Sequence, residues 1–120
     1  MSKYADVYLL PILEENLPAY KKMAASAGRV FREYGVLKYR EYVASDLNVE
    51  FGVKPFPAVV KLKPGETLVY AAVEFKSEAH RNKTMKAIFS DPELGAMMGD
   101  KPIFDVKRMV YGGFKILVDL

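Results

Sequence analysis

The chain has 120 residues, of which 51% are hydrophobic and 28% are charged, and its formal net charge is +3. This length and composition fit a single globular domain, residues 1–120. The mild positive charge does not by itself indicate a strongly acidic partner. The absence of cysteine excludes disulfides, thiol catalysis and cysteine-based metal sites. The lack of a signal peptide and of an apolar run of about 20 residues predicts a cytoplasmic protein without membrane contact.

The first part of the chain predicts a strand followed by a long helix. Residues 4–12 consist almost entirely of residues that favour β-strands. Beginning near Asn16, apolar residues recur at spacings of three and four, which is the period of a helix, and Gly35 is expected to end it. Gly28 lies in the middle of this helix, where glycine is unfavourable, which suggests close packing there. The predicted apolar stripe comprises Leu17, Tyr20, Ala24, Ala27, Phe31 and Tyr34.

Two further strands are predicted in the middle of the chain. Residues 36–44 form the first of them, with Tyr39 and Glu41 on the same side because side chains alternate along a strand. Residues 67–75 form the second. The sequence leaves the conformation of residues 46–63 open, since residues 58–63 suit a short strand and a single helical turn equally well.

The last third of the chain predicts two helices and a strand. Ser77 is a good N-cap for a helix that would turn Ala79, Met85, Ile88 and Phe89 to the core. A short helix then starts at Pro92 and runs to Met97, with a break at residues 99–102. Residues 107–118 form the last strand, in which Gly112-Gly113 indicates either a bulge or a close backbone approach.

The order βαββαβ predicts a ferredoxin-like α+β fold, with a four-stranded antiparallel sheet and two helices on one face. We expect the helices to cover the face with Ala5, Val7, Leu9, Val69, Ala71, Val73 and Phe75. The other face is then predicted to carry Tyr4, Asp6, Tyr8, Leu10, Arg40, Tyr42, Tyr70 and Glu74. Tyrosine-rich mixed surfaces suit protein interfaces. We therefore predict a homodimer formed through this face, with Tyr4, Tyr8, Tyr42 and Tyr70 as candidate contact residues.

RNA binding on the same face is a less favoured alternative. RNA-recognition domains share this segment order and stack bases on aromatic residues of the first and third strands. Residues 7–9 (Val-Tyr-Leu) resemble the start of the first-strand motif. In the third strand, however, Leu68 and Val69 replace a basic residue and a glycine, and Ala72 replaces a stacking aromatic. Nucleic acid is therefore an unlikely partner.

Four residues are candidates for a ligand site in the crevice between helices and sheet: His80, Tyr39, Glu41 and Tyr111. His80 is the single histidine and has the chemistry of a general base, although a boundary residue with a satisfied hydrogen bond is the commoner role. Glu41 would serve as an acid or base if buried, or simply form an ion pair. Lys107-Arg108 would suit an anion, or protect an edge strand from aggregation. No spacing supports a metal or cofactor site, and no catalytic residue is assigned.

Several runs of the chain resemble the bacterial YbaA-like family of uncharacterised domains, catalogued as domain of unknown function 1428. The most specific run is residues 108–114 (Arg-Met-Val-Tyr-Gly-Gly-Phe), joined by residues 75–81 and Asp91-Pro92. Asn82 and Val106 depart from the family pattern, which frequently has aspartate and glycine there. The resemblance implies a ferredoxin-like fold of the dimeric α/β-barrel superfamily. It implies no catalytic residue, because the family has no established activity, whereas related barrel families bind ligands between helices and sheet.

The sequence thus predicts a cytoplasmic homodimer that binds or converts a small molecule in the helix–sheet crevice. The alternative is a non-catalytic dimer or a protein-interaction module. No residue pattern assigns an enzymatic reaction.

Overall fold

The structure, a computed structural model, describes residues 2–98 and 102–120. Within these residues the strands form one antiparallel sheet in the order β2-β3-β1-β4. The elements along the chain are β1 (Tyr4–Leu13), α1 (Leu17–Glu33), β2 (Lys38–Val43), β3 (Glu66–Phe75), α2 (Glu78–Phe89), α3 (Pro92–Met98) and β4 (Val110–Lys115). This is the predicted βαββαβ order, and α3 is the short helix that was predicted to start at Pro92.

The ends of the helices follow from local sequence signals. Pro18 occupies the first turn of α1, where its missing N–H costs no helical hydrogen bond. Gly35 follows α1 with a φ of 96°, a left-handed conformation that glycine adopts most easily. Asn16 does not cap α1 with its side chain; its amide donates to the carbonyl oxygen of Ile103 at 3.1 Å. The Ser77 hydroxyl caps α2 as predicted, accepting from the backbone N–H of His80.

Side chains of α1 and α2 pack against strand residues in two buried clusters. The first cluster contains Tyr4, Val36, Val73, Phe75, Met85 and Ile88, and the second contains Leu10, Ile12, Tyr20, Ala24 and Val69. Met85 and Ile88 belong to α2, whereas Tyr20 and Ala24 belong to α1. The β1 residues of both clusters have even numbers and the β3 residues odd numbers, so they share one face of the sheet.

The prediction of which β1 side chains face the helices was wrong. Tyr4 pairs with Phe75 in the register, which places the even-numbered residues of β1 with the odd-numbered residues of β3. Tyr4, Asp6, Tyr8 and Leu10 therefore lie on the helix-covered face, and Tyr4 and Tyr8 are not on the proposed dimer surface. Both alternating sets of β1 are largely apolar, so polarity alone does not distinguish the two faces.

The opposite side of the sheet, here called the open face, is not packed by the helices. It carries Ala5, Val7, Leu9, Lys38, Arg40, Tyr42, Tyr70, Ala72, Glu74, Val110, Gly112 and Phe114. The rings of Tyr42 and Tyr70 lie against each other with centroids 5.5 Å apart. Their exposed fractions are 47% and 37%, and that of Phe114 is 56%, so aromatic surface remains accessible in the single chain.

Some predicted boundaries and orientations differ from the structure. Residues 46–63 contain one 3-10 turn, Phe56–Ala58, and residues 58–63 form neither a strand nor a complete helical turn. In α2, Ala79 and Phe89 are exposed, while Thr84 is buried beside Met85 and Ile88. β4 is shorter than predicted, because Lys107 and Arg108 belong to a 3-10 turn that precedes it. The break predicted at residues 99–102 lies outside the described residues except for Pro102.

No helix within residues 2–98 and 102–120 combines the length and the apolar character needed to cross a bilayer.

Candidate functional site

A carboxylate and two phenols, here called the Glu41 triad, lie together between α1 and β2. Glu41 accepts a hydrogen bond from the Tyr39 hydroxyl at 2.5 Å and another from the Tyr20 hydroxyl. Tyr39 and Glu41 are two residues apart on β2 and so point to the same face, while Tyr20 lies on the first turn of α1. Among the described residues no lysine or arginine lies within 4.0 Å of the Glu41 carboxylate. Hydrogen bonds therefore provide the compensation for its charge.

The Glu41 triad lines a cleft of about 710 Å³ between α1 and the edge of the sheet, here called the α1–β2 cleft. Ligand pockets in proteins commonly measure about 300–1,000 Å³. The walls are mainly apolar and include Leu17, Pro18, Ala24, Ala25, Val43 and Val69. A smaller cavity of about 260 Å³ continues between the sheet and the helices and shares Tyr20, Tyr39 and Glu41 with the cleft. The carboxylate thus lies where two mostly apolar spaces meet.

Burial governs the ionisation of the two phenols. It raises the pKa of Tyr20 above its ordinary value, and the hydrogen bond to Glu41 raises it further. Burial likewise raises the pKa of Tyr39, with the Glu41 charge and hydrogen bond acting in the same direction. Both hydroxyls therefore keep their protons at neutral pH, which makes them hydrogen-bond donors to Glu41 rather than bases.

Gly28 explains how the Tyr39 ring fits against α1. A Cβ atom at Gly28 would lie 2.8 Å from Cδ1 and 3.0 Å from Cε1 of Tyr39. Phe31, one turn further along α1, packs edge-on against the same ring with centroids 5.2 Å apart. The close packing that the mid-helix glycine suggested is therefore the contact that places the Tyr39 hydroxyl at Glu41.

A second polar group, here called the Asp6 cluster, lies on the same sheet face near the start of α2. Asp6 is 1% exposed, accepts from the Tyr111 hydroxyl at 2.9 Å, and lies 3.2 Å from Nε of Arg81. Nη2 of Arg81 donates to the Tyr4 hydroxyl at 2.8 Å, and the guanidinium lies over the Tyr4 ring. Burial raises the pKa of Asp6, although the Tyr111 hydrogen bond and the Arg81 charge oppose the shift. The cluster connects α2 to β1 and β4, which is a structural role.

Gly113 belongs to this packing. A Cβ atom there would lie 2.8 Å from Cζ of Tyr4 and 3.0 Å from Nη2 of Arg81. β4 pairs with β1 in continuous register through Gly112 and Gly113, without a bulge. Of the two interpretations of the paired glycines, close approach is therefore the correct one for Gly113.

The four candidate crevice residues lie in three different surroundings. Tyr39 and Glu41 come together in the Glu41 triad, whereas Tyr111 belongs to the Asp6 cluster, with its ring 4.9 Å from that of Tyr8. His80 accepts from the Lys76 backbone N–H at 3.1 Å through Nδ1, and its ring packs edge-on against Phe75. His80 lines neither the α1–β2 cleft nor the adjoining smaller cavity.

Sequence reasoning assigned Tyr20 only to the apolar stripe of the helix and did not place it in the site. The available signal was the Tyr20 hydroxyl on a mainly apolar helix stripe, together with a glutamate on a strand that the helix was expected to cover. Such a pair predicts a contact only if the register of helix and strand is known. The structure supplies that placement, because α1 packs through Tyr20 and Ala24 on the sheet face to which Glu41 points.

A further ion pair, away from the Glu41 triad and the Asp6 cluster, joins two segments of the chain. Arg108 makes a two-pronged ion pair with Glu66, with Nη1–Oε2 at 2.7 Å and Nη2–Oε1 at 2.8 Å, so its guanidinium is engaged within the chain. Residues 2–98 and 102–120 contain no group of three or more histidine or carboxylate side chains arranged to hold a metal ion.

The chain is similar in sequence to proteins whose names state no function. The model of the family described as "Protein of unknown function (DUF1428)" matches residues 3–106. The "Uncharacterized protein YbaA" of Escherichia coli K12 is 34% identical over 117 residues, which cover 98% of both chains. The protein of the same name from Shigella flexneri matches to the same extent.

Solved structures of more distant proteins share the fold. A dimeric ferredoxin-like protein from an uncultured marine organism superposes with a TM-score of 0.58 at 11% identity, covering 100% of both chains. A nipsnap family protein with unknown function from Agrobacterium tumefaciens gives a TM-score of 0.60 at 13% identity, covering 96% of this chain and 88% of that one. At these identities the likeness shows a ferredoxin-like α+β fold and nothing about activity. The family match and the 34% identity to YbaA show that the chain belongs to the DUF1428 family, as the runs at residues 75–81 and 108–114 predicted.

Proposed function

We propose that the chain is a single ferredoxin-like domain that forms a cytoplasmic homodimer and binds a small, mostly apolar molecule in the α1–β2 cleft. The Glu41 triad is the observation that carries the ligand proposal. Its half-buried carboxylate opens onto apolar walls and is compensated by phenols rather than by a cation. Burying a charge opposes folding, so a core selected for stability alone would gain from an apolar side chain at this position.

The chemistry of the cleft supports binding rather than turnover. The two phenols stay protonated and donate hydrogen bonds to Glu41, so neither has the character of a nucleophile or a base. The single histidine, His80, is hydrogen-bonded to the backbone of Lys76 and does not line the cleft.

The dimer proposal rests on the open face of the sheet. Tyr42, Tyr70 and Phe114 leave aromatic surface accessible there, and Lys38 lies opposite Glu74 on neighbouring strands. A two-fold axis brings the same surface of both copies together, so a face with both charge signs and aromatic rings can complement itself. One solved neighbour is described as a dimeric ferredoxin-like protein. Packing two such sheets face to face would give the dimeric α/β-barrel arrangement.

A non-catalytic dimer or protein-interaction module is the second candidate. Leu117 and Val118 follow β4 with exposed fractions of 96% and 68%, and exposed aliphatic side chains favour contact with another chain. RNA binding is less favoured, because Tyr8, the first-strand aromatic that would stack on a base, lies on the helix-covered face.

Titration with 2-phenylethanol, followed in ¹H–¹⁵N NMR spectra, tests the ligand proposal. This neutral aromatic probe should shift amide signals of α1 and β2 around the α1–β2 cleft. Ala25→Phe adds a ring at an exposed position of the cleft wall and should weaken binding. Ala19→Phe changes an exposed residue of the same helix outside the cleft lining and should leave binding unchanged. Shifts confined to other regions, or equal binding by the two variants, would refute the proposed site.

A further inference from the structure

We propose that the ligand of the α1–β2 cleft carries a protonated amine, which the Glu41 carboxylate binds between aromatic rings. This inference rests on the proposed function, since it names the class of molecule that the same cleft takes. It follows from the hydrogen bonds, the charges and the rings around Glu41.

The Glu41 triad has no hydrogen-bond donor left for a ligand. A tyrosine hydroxyl has a single proton, and Tyr20 and Tyr39 both donate theirs to Glu41. An ionised carboxylate accepts hydrogen bonds and donates none. The remaining capacity of the triad therefore consists of oxygen lone pairs. A ligand must bring its own N–H or O–H, and a ketone or a carboxylate would find no partner there.

The charge around Glu41 favours a cation over a neutral donor. Two phenols compensate the carboxylate only in part, and no described lysine or arginine is within 4.0 Å of it. Lys21 also lines the cleft, but it is exposed, so water and salt screen its charge. An ammonium group inside the cleft would meet the carboxylate with less competition from solvent.

Aromatic rings and apolar walls define the rest of the ligand. Tyr20 packs edge-on against Phe104 with centroids 5.8 Å apart, and Tyr39 packs edge-on against Phe31. Glu41 is the one acidic residue among the described residues that line the cleft and the adjoining cavity, so a second cationic group would have no partner. The geometry therefore suits a monoamine on an aromatic or aliphatic body.

Three probes with the same phenyl body separate the alternatives: 2-phenylethylamine, 2-phenylethanol and 3-phenylpropionate. Each is titrated near neutral pH into the ¹⁵N-labelled full chain. We expect the amine to bind about tenfold more tightly than the alcohol, since one charge-assisted contact in a partly buried site contributes on that order. The carboxylate should bind most weakly. Glu41→Gln should abolish the advantage of the amine over the alcohol, whereas Lys21→Gln should preserve that advantage.

The outcomes distinguish this inference from the proposed function. Equal binding of amine and alcohol in the cleft, or an amine advantage that survives Glu41→Gln, would overturn the amine assignment and retain the binding site. Absence of cleft shifts with all three probes would overturn the proposed function itself. If the NMR spectrum of Glu41→Gln shows that the variant is unfolded, the salt dependence of binding to the unmodified protein tests the ion pair instead. The Kd of the amine should then rise severalfold between about 0.05 M and about 0.5 M NaCl while that of the alcohol stays constant, and an unchanged Kd would refute the ion pair.

Discussion

Tyrosine hydroxyls bind each of the two carboxylates on the helix-covered face. Glu41 accepts from Tyr20 and Tyr39, and Asp6 accepts from Tyr111. A phenol contributes apolar area together with one hydrogen bond, so it lowers the free-energy cost of burying a carboxylate while still filling space. This pairing explains how Glu41, and also Asp6, which was predicted on the opposite face, are accommodated beneath the helices.

Gly113→Ala tests the packing of the Asp6 cluster. The added methyl would lie 2.8 Å from Cζ of Tyr4, a buried ring that Arg81 holds in place. We expect the free energy of unfolding, measured by urea denaturation, to fall by about 1–3 kcal/mol. Gly95→Ala is the matched control, because no atom lies within 4 Å of that Cβ position in α3. It should raise stability by up to about 1 kcal/mol. A Gly113→Ala protein as stable as the unmodified chain would contradict the close packing of Gly113 against Tyr4.

Between elements, ion pairs and hydrogen bonds join segments that are distant in sequence. Arg108, in the turn before β4, binds Glu66 at the start of β3 and the carbonyl oxygen of Lys61. The Asn16 amide connects the start of α1 to Ile103. These contacts fix where the connecting segments lie against the sheet, and periodicity in the sequence contains no signal for them.

The Glu66–Arg108 pair predicts a specific dependence of stability on pH. Hydrogen bonds from Arg108 lower the pKa of Glu66 from 4.5 to about 2. Because the folded pKa lies below the unfolded one, the pair stabilises the protein above about pH 4.5, and this stabilisation is lost as the pH falls towards about 2. Arg108 is partly exposed, so solvent screening limits the size of the effect.

Urea denaturation at stepped pH measures this contribution. Glu66→Gln should flatten the decline of stability between about pH 4.5 and about pH 2, since the substituted side chain does not titrate. Glu50→Gln, at an exposed position of the segment between β2 and β3, provides the matched control and should retain the decline. Coinciding curves for the two variants would show that the pair has no effect on acid stability.

For the molecule as a whole, the open face of the sheet predicts association of two copies. In a face-to-face dimer, Phe114→Glu would place a new carboxylate of each copy in the interface and should yield a monomer in sedimentation velocity. Phe89→Glu changes a phenylalanine on α2, on the other side of the sheet, with an exposed fraction of 75%. It should leave the dimer intact. A monomer of the unmodified chain at micromolar concentration, or dissociation by Phe89→Glu alone, would contradict this interface.

Local signals in the sequence were sufficient for the order of elements, the family and most helix ends. The spacing of Tyr20, Ala24 and Ala27 predicted α1, Ser77 predicted the start of α2, and Gly35 predicted the end of α1. Periodicity, caps and left-handed glycines depend on residues within one or two turns of each other, so they can be read without knowledge of tertiary contacts. The same reasoning failed for Phe89, because an apolar residue at the end of a helix carries no information on where its neighbours lie.

The orientation of β1 and the assembly of the candidate site followed from long-range pairing instead. Both sides of β1 are largely apolar, and the register of Tyr4 with Phe75 selects the side that faces the helices. Tyr20 and Glu41 are 21 residues apart in sequence, and they meet because α1 packs on that side of the sheet. A shift of one residue in register exchanges the two faces of a strand. The neighbouring strands and the packing of the helices determine that register.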